Sequence, residues 1–202
     1  MGRRMSPPTH IPGKPASADG ALVALEDFQR RFLDLHQAQR GGPPRQPFDP
    51  DWPSPCQRSA ADADGLIDWL PVRREPPGSF DNIARALEIE LHPDAGAYYA
   101  HYYSDALPAS HPRGELNLLA AWSERDFARL QENLLGHLHA QRREKRPPTL
   151  FIATCEPDDS AFFISLDNAS GAVLLEEVGR GPKERLADSL GEFLRQLQPR
   201  LA

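Results

Sequence analysis

The side chains of this chain that could carry out covalent chemistry are few and dispersed: two cysteines, Cys56 and Cys155, and seven histidines among 202 residues. A catalytic thiol needs a base within hydrogen-bond reach and a third group to orient that base. Cys155 follows the apolar run Leu150-Phe151-Ile152, and folding could bring it to His137 or His139. That makes a small cysteine hydrolase one reading to test. No glycine-rich elbow or oxyanion-forming turn accompanies the cysteine, so a half-buried packing thiol is the expectation. The same holds for Cys56 in its proline-rich loop. His137 and His139 stand two positions apart in a helical pattern and point about 200° apart, so they cannot grip one ion. His92, His101 and His111 are scattered among prolines and tyrosines. No metal and no cofactor are expected, and Glu115 to Asp126 lacks the glycines that cradle a phosphate.

What remains is suited to binding. Glu88, Asp94, Asp105, Glu124, Asp126 and Glu132 crowd the middle third of the chain, together with Asp81 and Glu90. Solvated faces and helix-dipole partners account for Asp81 and Glu124. The functional reading is that several of these carboxylates converge on one concave face and make a negative groove for a basic partner. Glu132 and Asn133 contribute nothing to the apolar face of their helix, which suggests contact with something outside. Trp122 and Tyr99 are the candidate anchors, because large rings with a polar handle are enriched in interfaces. Of the tyrosines from Tyr98 to Tyr103, two are expected to wall the core.

The formal net charge is −6. The first twenty residues carry +2, from Arg3, Arg4 and Lys14 against Asp19, which leaves −8 for the remainder. An acidic body does not suit a nucleic-acid binder; it keeps a domain soluble and favours a basic partner. No apolar run approaches the ~20 residues of a membrane helix. The N-terminal arginines precede no apolar stretch of the kind a secretory signal needs. A reduced, cytoplasmic compartment is therefore expected.

The elements that must position these residues centre on Trp122 to Thr154. Ser123 and Asp126 form an N-cap pair, and Phe127, Leu130, Leu134 and Leu138 define one buried face. Arg142 to Arg146 suits the negative end of the dipole, and Pro147-Pro148 stops the helix before a short strand over 149–154. Residues 1–20, rich in Pro, Gly and Ser, read as a disordered tail, and 21–202 as one domain. A first helix runs from Ala21 to about Arg40. The proline-rich stretch to Cys56 reads as irregular, pinned by Phe48 and Trp52. A strand follows over 66–70, then a helix from Ser79 to Leu91, a short helix over the tyrosines, and a strand over 115–121. Two strands over 161–166 and 172–178 form a hairpin, and a last helix carries Leu186, Leu190, Phe193, Leu194 and Leu197. Strands separated by helices early and an antiparallel meander later argue for an α+β fold with helices packed on one sheet.

Several segments resemble the bacterial Syd family, the SecY-interacting proteins. They are Gln131 to Leu138, Pro147 to Thr154, Pro53-Ser54-Pro55-Cys56, Leu91-His92-Pro93, Ser165-Leu166-Asp167-Asn168 and Leu186 to Pro199. The resemblance spans Leu22 to Leu201 and leaves out the tail. It implies an SMI1/KNR4-like α+β domain with a mostly antiparallel sheet around a concave acidic groove. It further implies a non-enzymatic protein, peripheral on the cytoplasmic side of the inner membrane. Its partner would be the basic cytosolic loops of SecY, the channel subunit of the export translocon, and its role regulatory, including action on wrongly assembled channels. On these terms the groove is expected to hold Glu132, Asp126, Glu124, Asn133, Asp105, Asp94 and Glu88, with Trp122 and Tyr99 as anchors, in a monomer. Neutralising a toxin, as related immunity proteins do, is the alternative on the same fold.

Overall fold

The computed structural model describes residues 18–157 and 160–201. The proposed tail therefore lies outside the described residues, except for its last three. There the first helix, α1 (Ala18–Arg40), has already begun. The chain continues through β1 (Arg45–Pro47), β2 (Leu66–Asp68), β3 (Val72–Arg73), α2 (Asp81–Leu87), α3 (Pro93–Tyr99), β4 (Tyr102–Tyr103), β5 (Leu107–His111) and β6 (Gly114–Leu118). It ends with α4 (Glu124–Arg143), β7 (Thr149–Cys155), β8 (Phe162–Asp167), β9 (Val173–Glu177), β10 (Gly181–Ala187), α5 (Leu190–Gln196) and β11 (Gln198–Pro199). Seven strands form one antiparallel sheet in the order β10-β9-β8-β7-β6-β5-β11. With helices flanking this sheet, the architecture is the expected α+β.

The helix at the centre of the fold forms for the reasons its sequence suggests. Ser123 caps α4 by accepting from the Asp126 N–H, while an Asp126 oxygen accepts from the Trp122 N–H, 3.1 Å away. Phe127, Leu130, Leu134, Leu138 and Gln141 are buried along one face. Gln141 then locks the helix to the strand that follows it: its amide donates to the Thr149 hydroxyl at 2.6 Å and accepts from the Thr149 N–H at 3.0 Å. In β7, Leu150, Ile152 and Ala153 are all buried, across an irregularity in its pairing with β8. The carbonyls there are also satisfied from α3. Tyr98 donates to Ile152 O at 3.0 Å and Tyr99 to Phe151 O at 2.8 Å. Adjacent tyrosines are both buried because α3 packs on α1 while both hydroxyls reach carbonyls of β7.

Several expectations need correction. The proline-rich stretch is not wholly irregular, since Arg45–Pro47 pairs with β2 as a two-stranded sheet. There Pro47 is tolerated because an edge strand can forgo a donor. Trp52 packs against the core, but the Phe48 ring is exposed and only its backbone N–H, donating to Gly65 O at 2.8 Å, holds the loop. α2 stops at Leu87 rather than reaching Leu91, because Glu88 adopts a left-handed backbone with φ 51°. Leu107–His111 is a strand despite Pro108, and residues 181–187 are an edge strand rather than the lead-in to a helix. That strand, Gly-Pro-Lys-Glu-Arg-Leu-Ala, carries a proline and three consecutive charges, the usual protection of a sheet edge, so it has no apolar alternation to reveal it. Leu186 accordingly belongs to β10 and not to the last helix.

Candidate functional site

A cavity of about 240 Å³ opens where the proline-rich loop meets the start of α4. Asp49, Asp105 and Asp126 line it together with the indoles of Trp52 and Trp122, and the amides Gln46 and Gln57 complete the wall. The loop is held there by specific bonds. The Ser54 hydroxyl donates to the Trp122 carbonyl and accepts from the Cys56 N–H at 2.9 Å. The Trp122 indole N–H donates to Trp52 O at 3.2 Å. These bonds give Pro53-Ser54-Pro55-Cys56 a structural task, which is to fasten the loop to the start of α4. Trp122 is itself buried and meets Trp69 edge-on at 5.8 Å, so it forms the floor of the cavity.

Electrostatics follow from this geometry. Burial pushes the Asp105 carboxyl above the usual carboxylate range; the Ala106 N–H it accepts opposes this, and the charge of Asp126 adds to it. Two like charges in one partly desolvated cavity favour the entry of a cation. The rim is already partly basic: Arg125 and Arg129 lie over the Trp52 ring, 4.1 and 4.9 Å from its centroid. Arg129 also stands 3.9 Å from Asp126. The cavity can hold a single ammonium or guanidinium group between carboxylates and indole faces, an arrangement that suits a side chain of a basic peptide.

The nine predicted binding residues fall into separate neighbourhoods. Asp105, Asp126 and Trp122 meet in the cavity. Asn133 is exposed on the Asp126 flank of α4, two turns further along, while exposed Glu132 faces away from the core. Glu124 lies on the opposite flank, paired with Arg74 at 2.6 Å and accepting from the Tyr103 hydroxyl. Glu88 caps α2. Tyr99 and Asp94 are core residues, 2% and 1% exposed, and present nothing to a partner. Burial holds the Asp94 carboxyl above its ordinary range, opposed by His92 beside it. Asp49, Trp52, Gln46 and Gln57 were missed, because a proline-rich loop carries no periodicity. The available signal was a tryptophan four residues before Cys56, directly ahead of the Pro53-Ser54-Pro55-Cys56 segment.

Cys155 and His137 border a second cavity, of about 500 Å³, on the other side of α4's path. No hydrogen bond joins them, since the His137 ring pairs with Gln141 at 3.0 Å. Burial raises the Cys155 thiol above its ordinary value and lowers His137, which is the wrong direction for an activated thiolate. Cys56 is fully buried and pushed up to about 11 by desolvation. Among the described residues, no three His, Cys, Asp or Glu side chains come together as metal ligands. Nor is any described helix long and apolar enough to cross a membrane.

Comparison with known proteins decides the family. A family model described as Syd protein (SUKH-2) matches residues 22–199. The chain belongs to the Syd family. Protein Syd of Pseudoalteromonas atlantica is 42% identical over 180 residues, spanning 87% of this chain and 94% of its own. Protein Syd of Alteromonas mediterranea is 44% identical over 152 residues, spanning 75% and 83%. Protein Syd of Yersinia enterocolitica is 43% identical over 177 residues, spanning 88% and 94%. The matched region takes in both the loop and the helix end that build the acidic cavity.

Proposed function

We propose that this protein is a non-enzymatic regulator that docks on the basic cytosolic loops of SecY, at the cytoplasmic face of the inner membrane, and acts on abnormal translocon complexes. The observation that carries this reading is the cavity in which Asp49, Asp105 and Asp126 surround two indoles. A lysine or arginine of a loop enters it, is desolvated against Trp52 and Trp122, and meets the carboxylates of Asp49, Asp105 and Asp126. Complementary charge speeds the encounter and fixes the register of the loop. Membership of the Syd family supports the identity of the partner, and the acidic balance of the chain supports its sign. The protein is expected to act as a monomer, with no role for a thiol nucleophile.

The test is the paired substitution Asp49→Asn and Asp105→Asn. Both side chains keep an acceptor for the local bonds they now make, to the Asp51 N–H at 2.9 Å and the Ala106 N–H at 2.8 Å. Each lost charge is worth about 0.2–1 kcal/mol, so retention on SecY-containing membranes should fall about 2- to 30-fold. The loss should shrink as salt is raised, because screening already weakens the native contact. Undiminished retention would remove the cavity from the account, whatever the fold of the variant.

A further inference from the structure

α4 sends two arginines to the rim of the acidic cavity, and their contacts differ. Arg125 is tethered: its guanidinium donates to the Asp51 carbonyl at 3.4 Å and stands 4.1 Å from the centre of the Trp52 ring. It thereby holds the loop that carries Asp49 and Trp52 against the start of the helix. Arg129, one turn on, has a side chain that is 60% exposed. Its guanidinium lies 4.9 Å from the Trp52 ring centre and 3.9 Å from Asp126 Oδ1. At that length the contact with Asp126 is not a hydrogen bond. Both Trp52 and Asp126 line the cavity. The three lining carboxylates each spend one oxygen on a backbone N–H. Asp49 Oδ1 accepts from Asp51 at 2.9 Å, Asp105 Oδ1 from Ala106 at 2.8 Å, and Asp126 Oδ2 from Trp122 at 3.1 Å. Arg129 stands beside the second oxygen of Asp126, and among the described residues Asp126 is the only one of the three with a cationic group within 4 Å.

We infer, resting on the reading of this cavity as a cation site, that Arg129 is a displaceable internal competitor: it holds the place of the partner's cation in the free protein and leaves when that cation arrives. A guanidinium over an indole and beside a carboxylate makes the contacts that an incoming arginine or lysine would make there. These contacts are loose and exposed, and exposed ion pairs contribute little. A cation that reaches three carboxylates therefore outcompetes one that stands beside a single oxygen. Arg129 also has a second carboxylate to receive it. Glu132 is exposed three positions further along α4, as Asp126 lies three positions before, and both spacings suit a helix ion pair. The arginine thus has two stations, one on the cavity and one off it, and the partner's cation selects the second. Such a competitor weakens the binding of any lone cation, so more of the affinity must come from the rest of the bound loop, which discriminates against stray basic peptides.

Two charge-matched variants of the full chain test this. Each is titrated with a short Gly/Ser peptide carrying one central arginine, and the indole N–H resonances of Trp52 and Trp122 report occupancy by NMR. The same peptide with citrulline, neutral and of nearly the same shape, should move neither resonance. Arg129→Gln should bind the arginine peptide about 2- to 5-fold more tightly than the unaltered chain, the value of one exposed cation–π contact. Arg125→Gln changes the net charge equally but releases the loop, so its affinity should not rise. Unchanged or weaker binding by Arg129→Gln would overturn the inference while leaving the cavity a cation site. Equal gains in the two variants would also overturn it, because they assign the effect to overall charge. Equal shifts with citrulline, or none with either peptide in any of the three proteins, would remove the cation reading itself, and the internal competitor with it.

Discussion

Asp126 carries two duties that substitution can separate. One is structural: an Oδ atom accepts the Trp122 N–H while the Asp126 N–H is accepted by Ser123, closing the start of α4. The other is charge, because the same carboxylate lines the acidic cavity. Asp126→Ala removes both. The Ser123 cap survives, because it accepts the backbone N–H of residue 126. The loss is the acceptor for the N–H of buried Trp122, so a cost of about 1–3 kcal/mol is expected, or roughly 2–12 °C in Tm for a domain of this size. Asp126→Asn keeps a carbonyl in place to accept the Trp122 N–H and should cost less than about 1 kcal/mol. Urea melts of both variants measure this, with the midpoint moving and the slope unchanged. Affinity for a basic peptide should fall similarly in both, about 1.4- to 5-fold, since each removes one charge. Equal destabilisation by Asn and Ala would refute the capping role. Full peptide affinity in Asp126→Asn would refute its part in the cavity.

Three further outcomes follow from named contacts. Gln141→Leu leaves the buried Thr149 N–H and hydroxyl without the partners they now have at 3.0 and 2.6 Å. It should destabilise by about 2–4 kcal/mol in a urea melt, and a loss under about 0.5 kcal/mol would contradict the lock between α4 and β7. His36 is 2% exposed, neither ring nitrogen has a hydrogen-bond partner, and burial, with the charge of Arg40 adding, lowers its pKa. The unfolded chain therefore binds the proton more readily, so this stability is intact above about pH 6.5 and declines as pH falls from there towards the folded-state value. His36→Phe should flatten that decline but not abolish it, because His137 is shifted the same way; superimposable pH profiles for the two proteins would contradict it. Entry of a cation into the acidic cavity favours ionised Asp105, whose pKa is raised in the free protein. Peptide affinity should therefore weaken as pH falls into the range where Asp105 takes up its proton, and Asp105→Asn should remove this pH dependence.

The fold was most legible where local signals agreed. The cap at Ser123, the apolar face of α4 and the prolines after it set the helix and β7 within a residue or two. The hairpin of β8 and β9 was readable from Asp167 to Gly171 between two apolar runs. Strands made of pairing alone were hidden. β10 lacks apolar alternation, β11 and β3 are two residues long, and β5 contains a proline, so their assignment depends on neighbours far away in sequence. The candidate cavity was legible only in part. Asp105, Asp126 and Trp122 do come together, but Glu124 and Glu132 diverge because residues at those spacings face different sides of a helix. Tyr99 and Asp94 look available in a sequence and are buried in the fold, since a helix of seven residues can be enclosed on both sides. Asp49 and Trp52 could be placed only through the bonds of Ser54 and Trp122.

The most direct test is to see where the loop sits. A photo-crosslinking side chain at Gln57, on the wall of the acidic cavity, should capture a cytosolic loop of SecY in inner-membrane vesicles, while the same group at Glu132, on the exposed side of α4, should not. Capture from Glu132 with none from Gln57 would contradict the account and move the contact to the other side of the helix.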